Sequence, residues 1–107
     1  MKAILRAIAD PTRREILDML VVKNEESVKE LTKDFHMSLP AISQHLRVLK
    51  EAGLIAGRRD GRHILYRLNP APLFEVARWI HPYERFWKTK LETLAAHLKR
   101  RHGKDHH

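Results

Sequence analysis

Ser38-Leu39-Pro40-Ala41-Ile42-Ser43-Gln44-His45-Leu46-Arg47-Val48-Leu49 is the stretch on which the reading of this chain turns. Leu39, Ile42, Leu46 and Leu49 recur at spacings of three, four and three. That spacing predicts one apolar face of a helix with a period of about 3.6 residues. The other face carries Pro40, Ala41, Ser43, Gln44 and Arg47. These are small or hydrogen-bonding side chains with a single cation, where a merely soluble face would more often show Glu and Lys. Such a face suits close approach to a polar, negatively charged surface. The expectation is a helix that lies in the major groove of DNA.

The flanks agree with that expectation. Upstream, Ser27 and Glu30 form an S-x-x-E capping box that starts a helix, with Val28, Leu31 and Phe35 as its buried edge. His36-Met37 is a short turn, Ser38 can cap the following helix, and Pro40 is tolerated in its first turn, where the N–H groups have no partner. Two short helices joined by so tight a turn form a helix-turn-helix pattern, with the second helix as reader. Downstream, Ala52-Gly53 ends the reader, Gly53 taking the left-handed conformation of a helix stop. Residues 54–59 and 62–68 read as two strands. Asp60-Gly61 between them is a two-residue hairpin signal. Arg58, Arg59 and Arg62 crowd the hairpin tip, and like charges side by side repel unless an anion neutralises them. A phosphate or minor-groove role is expected for all three, the alternative being a solvated, positively charged loop.

Further out, residues 2–9 read as a short helix edged by Ile4, Leu5 and Ile8. Asp10-Pro11 stops it and caps a second helix whose apolar residues are Ile16, Leu17, Leu20 and Val21. Arg13 and Arg14 sit at that helix's start, where the helix dipole disfavours cations. They are either solvated charges or contacts to a phosphate or to an acid elsewhere. Residues 23–26 read as a polar connection. After Asn69-Pro70-Ala71-Pro72 a long helical stretch runs from residue 73 to about residue 99, with an a/d-like seam of Leu73, Ala77, Ile80, Trp87, Leu91, Leu94 and Leu98. Pro82 lies inside it and is expected to break it into two segments. Tyr83 and Phe86 add apolar area. The apolar first helix needs covering as well, so the first and last helices together are expected to form a dimer interface through Ile4, Leu5, Ile8, Leu73, Ile80, Trp87, Leu91, Leu94 and Leu98. The expected organisation is one domain over residues 1–101 and a flexible basic tail over 102–107, where His106-His107 is either native or a cloning remnant.

The totals bound the function. The chain has 107 residues and a formal net charge of +8, one domain's worth with a preference for an anionic partner. It contains no cysteine, which excludes disulfides and thiolate metal sites within these residues. No apolar run approaches the roughly 18–20 residues of a membrane span, and Arg6 and Asp10 interrupt the apolar start, so no membrane partner and a cytoplasmic location are expected. An enzyme is not expected. Ser43 and His45 stand two apart on one helix and point in different directions, and there is no glycine-rich phosphate loop.

With helices, wing and tail in place, the sequence resembles the ArsR/SmtB family of bacterial winged helix-turn-helix repressors. The residues that carry the match are Ala9-Asp10-Pro11-Thr12-Arg13-Arg14 with Ile16-Leu17, then Glu30-Leu31, then Met37-Ser38, Pro40-Ala41, Ser43, His45-Leu46 and Val48-Leu49. Ala52-Gly53-Leu54, Arg59, Gly61-Arg62, Tyr66 and Leu68 continue it, so the match covers residues 3–70. The resemblance implies a mainly α fold with a small β-hairpin: about five helices, a two-stranded wing and a homodimer through the first and last helices. It implies repression at inverted-repeat operators on double-stranded DNA. Carried over by position, Ser38, Pro40, Ala41, Ser43, Gln44, His45 and Arg47 lie near the groove. Gln44 suits bidentate contact with adenine and Arg47 suits guanine or phosphate, while His45 either packs or bonds a phosphate.

The departures concern the signal. Metal-sensing members place cysteines in or near the third helix, where this chain has Glu30-Leu31-Thr32-Lys33-Asp34. The aromatic tail around Phe86-Trp87 resembles a metal-independent branch, so no cofactor is expected. A zinc site from His81, Glu84, His97 and His102 is the alternative, although Pro82 and the spacing do not reproduce the family's ligand pattern. A non-specific architectural DNA binder is a second alternative. A third is an interaction module whose aromatic tail takes a protein or small-molecule inducer.

Overall fold

The computed structural model describes residues 1–105, with side chains as far as Arg100. The expectations for His102, for the terminal histidines and for a separate tail fall outside those side chains. The elements are α1 (Lys2–Ile8), α2 (Pro11–Lys23), β1 (Glu25–Ser27), α3 (Val28–Phe35), α4 (Leu39–Glu51), β2 (Ile55–Asp60), β3 (His63–Leu68) and α5 (Ala71–Asp105). The chain divides into two units, Met1–Val76 and the remainder from Ala77.

The first unit is built where apolar periodicities converge. Ile16, Leu17 and Leu20 of α2, Leu31 of α3, and Ile42, Leu46 and Leu49 of α4 are buried, with Leu54 and Ile55 beneath them and Ile4 and Ala7 from α1. Each of the buried Leu and Ile side chains contributes about 1.5–3 kcal/mol by leaving water. The starts of the helices are capped as their sequences require. Asp10 accepts from the Arg13 backbone N–H at 3.0 Å, and Pro11 occupies the first turn of α2. Ser27 Oγ accepts from the Glu30 N–H at 3.2 Å, and Glu30 Oε1 accepts from the Ser27 N–H at 3.1 Å, which completes the capping box. Ser38 Oγ accepts from the Ala41 N–H at 3.3 Å.

The end of α4 is a Schellman stop. Gly53, at φ 77°, donates its N–H to the Lys50 carbonyl at 2.9 Å, and Leu54 donates to the Leu49 carbonyl at 3.0 Å. Leu54 and Leu49 are both fully buried, the apolar contact that accompanies this motif. Asn69 then ties the end of β3 back to this stop: its backbone N–H bonds the Leu54 carbonyl and its side-chain Nδ2 bonds the Gly53 carbonyl, both at 2.8 Å.

Four expectations are corrected. The wing is part of a three-stranded antiparallel sheet in the order β1-β3-β2, because Glu25, Glu26 and Ser27 pair with Arg67, Tyr66 and Leu65. Three residues are too few for a period-2 signal, and two glutamates made them look like a linker. The hairpin loop is Gly61-Arg62 rather than Asp60-Gly61, since Asp60 pairs with His63. Gly61 at φ 62° takes the first loop position, the arrangement of a type II′ turn. The apolar face of α4 begins at Ile42: Leu39 is 56% exposed, being the helix's first residue and beyond the reach of the core. Val21, read as part of the α2 stripe, is exposed as well.

The fourth correction lies in the second unit. Helix α5 runs through Pro82 without a break. Proline removes one backbone hydrogen bond and crowds the carbonyl four residues earlier. The surrounding residues 81–100 are exposed, so water can serve that carbonyl while the turns on either side propagate the helix. Trp79, Tyr83, Phe86, Trp87, Leu91, Leu94 and Leu98 are all exposed along this helix. Trp79 and Tyr83 pack their rings 5.8 Å apart at a tilt of 57°. Among the described residues, no helix is long and apolar enough to cross a membrane.

Candidate nucleic-acid interface

The reading helix separates its two jobs by face. Ile42, Leu46 and Leu49 point into the core, and Ser38, Pro40, Ser43, Gln44 and Arg47 are exposed. Ala41 and His45 lie between, half-buried. Arg47 Nη2 donates to Gln44 Oε1 at 2.6 Å, one turn apart on the helix. That bond leaves the Gln44 amide N–H₂ and the second lone pair of its oxygen unused, so one exposed row offers donors and an acceptor at fixed spacing. This is the chemistry that distinguishes base edges in a major groove.

His45 is held from behind. Its Nδ1 lies 3.5 Å from Arg13 Nη1 and 3.9 Å from Asp10 Oδ2. The backbone N–H of Arg13 is the chief cause that holds the Asp10 carboxyl below the usual range, with the Arg13 guanidinium and His45 adding to it against some desolvation. The cap of α2 thus also braces α4.

Arg13 and Arg14 have an occupation that their position at the start of α2 does not announce. Arg13 donates to the Ala7 carbonyl through Nε at 2.6 Å and to the Arg6 carbonyl through Nη2 at 3.1 Å. Arg14 donates to the carbonyls of Ile8 at 2.7 Å and Ala9 at 3.2 Å. They bond the C-terminal carbonyls of α1, of which Arg6's also accepts the Ala9 N–H, at the helix end where cations are favoured by the dipole. Neither of the two roles read from the sequence describes this.

The strand register sorts the wing arginines. Arg59 is opposite Ile64, and Gly57 is opposite Tyr66, so Arg59, Ile64 and Tyr66 share one face of the sheet. Arg58 is on the other face and donates Nε to Glu25 Oε2 of β1 at 2.9 Å. Arg62 sits in the loop. Among the described residues neither Arg59 nor Arg62 forms an ion pair. Gly57 is there for closeness: a Cβ on it would stand 3.0 Å from Ile64 Cγ2 and 3.2 Å from Tyr66 Cε1. Tyr66 in turn reaches a cavity of about 230 Å³ that Ser43, Arg47 and Lys50 of α4 also line, which joins wing and reader.

These features agree with known proteins. Residues 10–56 match the model of the arsR family of bacterial regulatory proteins. The transcriptional repressor SdpR of Bacillus subtilis is 39% identical over 80 residues, covering 75% of this chain and 88% of that protein. The chain belongs to the ArsR family. An ArsR-like transcriptional regulator from Rhodococcus sp. RHA1 superposes with a TM-score of 0.68 at 31% identity, covering 87% of each chain. The homodimeric winged helix-turn-helix DNA-binding domain of Mb0332 from Mycobacterium bovis gives a TM-score of 0.63 at 28% identity, covering 76% of this chain and 77% of that one.

The other residues read from the sequence are distributed as follows. Ile4 is buried within the first unit, Leu5 is exposed, and Ile8 and Leu73 are half-buried. Ile80 is half-buried, and Trp87, Leu91, Leu94 and Leu98 are exposed. His81 Nδ1 lies 3.5 Å from Glu84 Oε2, but His97 is sixteen residues further along the same helix. At about 1.5 Å per residue that is roughly 24 Å, too far for one ion held by one chain. Among the described residues no three His, Asp or Glu side chains gather as a metal site. Lys29 and Lys33 are exposed on α3 one turn apart, at an i, i+4 spacing that is plain in the sequence.

Proposed function

We propose that this ArsR-family protein is a sequence-specific DNA-binding repressor that works as a homodimer on an inverted-repeat operator. The observation that carries the reading is the exposed row Ser43, Gln44 and Arg47 on a helix whose opposite side is locked into the core. Ser38, Pro40, Ala41 and His45 border the row. Arg59 and Arg62 supply phosphate contacts from the wing, and Arg58, through Glu25, holds the wing to β1 as well as adding charge. The exposed apolar residues of α5 supply the dimer contact, and Leu5 and Ile8 of α1 contribute to it. Two reading helices then fall about 34 Å apart, one turn of DNA.

Support comes from the relative named a transcriptional repressor and from the neighbour solved as a homodimeric DNA-binding domain. The absence of thiolates in these residues leaves the releasing signal to something other than a soft metal on cysteine. Selection of bound fragments from random duplex DNA with the purified chain tests the reading. A symmetric motif with half-sites about 10 bp apart is expected. Uniform recovery of unrelated sequences would replace it with an architectural role.

A further inference from the structure

Between α3 and the wing lies an open groove of about 630 Å³ that the DNA-reading face does not use up. Its floor is apolar: Val28 of α3, Leu39 at the first position of α4, and Ile64 of β3. Leu39 is 56% exposed and Ile64 is 44% exposed, so the first unit leaves this floor uncovered. Its rim is basic. Lys29 and Lys33 stand on one side, and Arg62 and His63 stand on the other. No acidic side chain lines it. Among the described residues none of Lys29, Lys33 and Arg62 forms an ion pair. Gly57 maintains the floor, because a Cβ there would meet Ile64 Cγ2 at 3.0 Å and displace it.

A phosphate backbone alone would use the rim and waste the floor; a neutral apolar molecule would do the reverse. A ligand with both an apolar body and one anionic head uses both, and the volume is in the usual range for small-molecule sites. We propose that the α3–wing groove binds a small amphipathic anion, a medium-chain organic carboxylate or phosphate monoester, with its apolar body on Val28, Leu39 and Ile64 and its head among Lys29, Lys33 and Arg62. Leu39 lies between Ser38 and Pro40, and Arg62 belongs to the wing tip. Resting on the DNA-binding reading above, the anion and DNA therefore exclude each other by direct overlap, and the anion acts as an inducer without any change of fold.

The test uses the full chain labelled with ¹⁵N, with decanoate as the probe, and decanol and acetate as its two halves. Decanoate is expected to shift amides in residues 27–33, 39 and 62–64, and decanol and acetate are expected to bind at least tenfold more weakly. Ile64→Ser and Lys33→Gln, both at exposed positions, are each expected to raise the decanoate Kd fivefold or more with the spectrum otherwise intact. Duplex DNA is expected to weaken decanoate binding in proportion to its own occupancy. Shifts confined to α5, equal binding of decanol, or indifference to both variants would overturn the site. Simultaneous saturation by DNA and decanoate would overturn the exclusion. Groove binding by a chain that binds no duplex at all would leave the site standing and remove the DNA reading instead.

Discussion

Helices α4 and α5 carry the same kind of apolar spacing and meet opposite fates. In α4 every apolar residue from Ile42 onward that continues the stripe is buried against α2, α3 and the start of β2. In α5 beyond Val76 the stripe of Trp79, Tyr83, Trp87, Leu91, Leu94 and Leu98 stays in solvent. Periodicity identifies an amphipathic helix but says nothing about where its partner comes from. What separates the two is neighbours along the chain: α4 is flanked by short turns that return elements onto it, whereas α5 beyond Val76 is one uninterrupted helix.

The sharpest way to break this contrast is to delete a large side chain from each helix. Leu46→Ala is expected to cost about 2–5 kcal/mol, since it empties a filled core. Its urea midpoint should fall by the same amount at low and high protein concentration. Trp87→Ala is expected to leave the first unit's stability unchanged when the chain is dilute and to lower it only as concentration rises, since it weakens association. A concentration-independent loss for Trp87→Ala would mean that α5 packs on its own chain.

The next test stays on the outer face of α4. Gln44→Ala is expected to cost about 1–3 kcal/mol of discrimination between the selected operator and its variants, with non-specific affinity nearly unchanged. Arg59→Ala should do the converse. It should weaken all duplexes alike and reduce the slope of log K against log salt by about 0.9. Fluorescence anisotropy across a salt series reads both. If Gln44→Ala lowered all affinities equally, base reading would have to be reassigned to other side chains.

Within the first unit one buried group is not apolar. Glu26 is fully buried; its Oε1 is held by an ion pair with Lys23, and among the described residues its Oε2 has no partner. Lys23 Nζ stands 3.1 Å from its Oε1, and Asp34 approaches the same ammonium at 3.4 Å. Burial raises the Glu26 carboxyl above its ordinary 4.5, and the Asp34 charge adds to this, against the pull of Lys23. The folded chain therefore binds this proton more tightly than the unfolded chain. The stability that the proton brings is full below 4.5 and is lost as pH rises through the folded value. Glu26→Gln keeps the shape and can donate to Asp34. It is expected to gain about 1 kcal/mol at pH 7, the low end of what an unsatisfied buried group costs. That gain should shrink as pH falls toward 4.5, as followed by thermal melts. A constant difference across that range would show that Glu26 keeps its ordinary titration.

Most of this first unit was legible in the sequence because its signals are local and redundant. The S-x-x-E cap, the Asp10-Pro11 start and the glycine stop each declare a helix end through one side chain or one backbone angle. Signals that depend on distant pairing were not legible. β1 exists because β3 offers it an edge, Glu25 matters because Arg58 crosses the sheet to it, and Arg13 reaches back to carbonyls of the preceding helix. At the site, the polar row of α4 followed from one helix period. The groove did not, since Leu39 and Ile64 belong to elements that only the folded sheet brings together.

The smallest expected effect lies at the turn that makes α4 a reader at all. His36 closes α3 in the left-handed region at φ 52° and ψ 38°, a conformation that costs a residue with a Cβ about 1–2 kcal/mol. Its side chain is exposed, so little packing repays that cost. His36→Gly removes the strain but gives the unfolded chain more freedom, and the two effects partly cancel. A net gain of about 0.5 kcal/mol is expected, seen as a small rise in Tm with DNA affinity unchanged. A loss of stability would show that the histidine ring contributes contacts to the turn. A change in DNA affinity without a change in Tm would show that the turn's angle, rather than its stability, sets how α4 is presented, and the contrast between α4 and α5 would then rest on the turn as much as on burial.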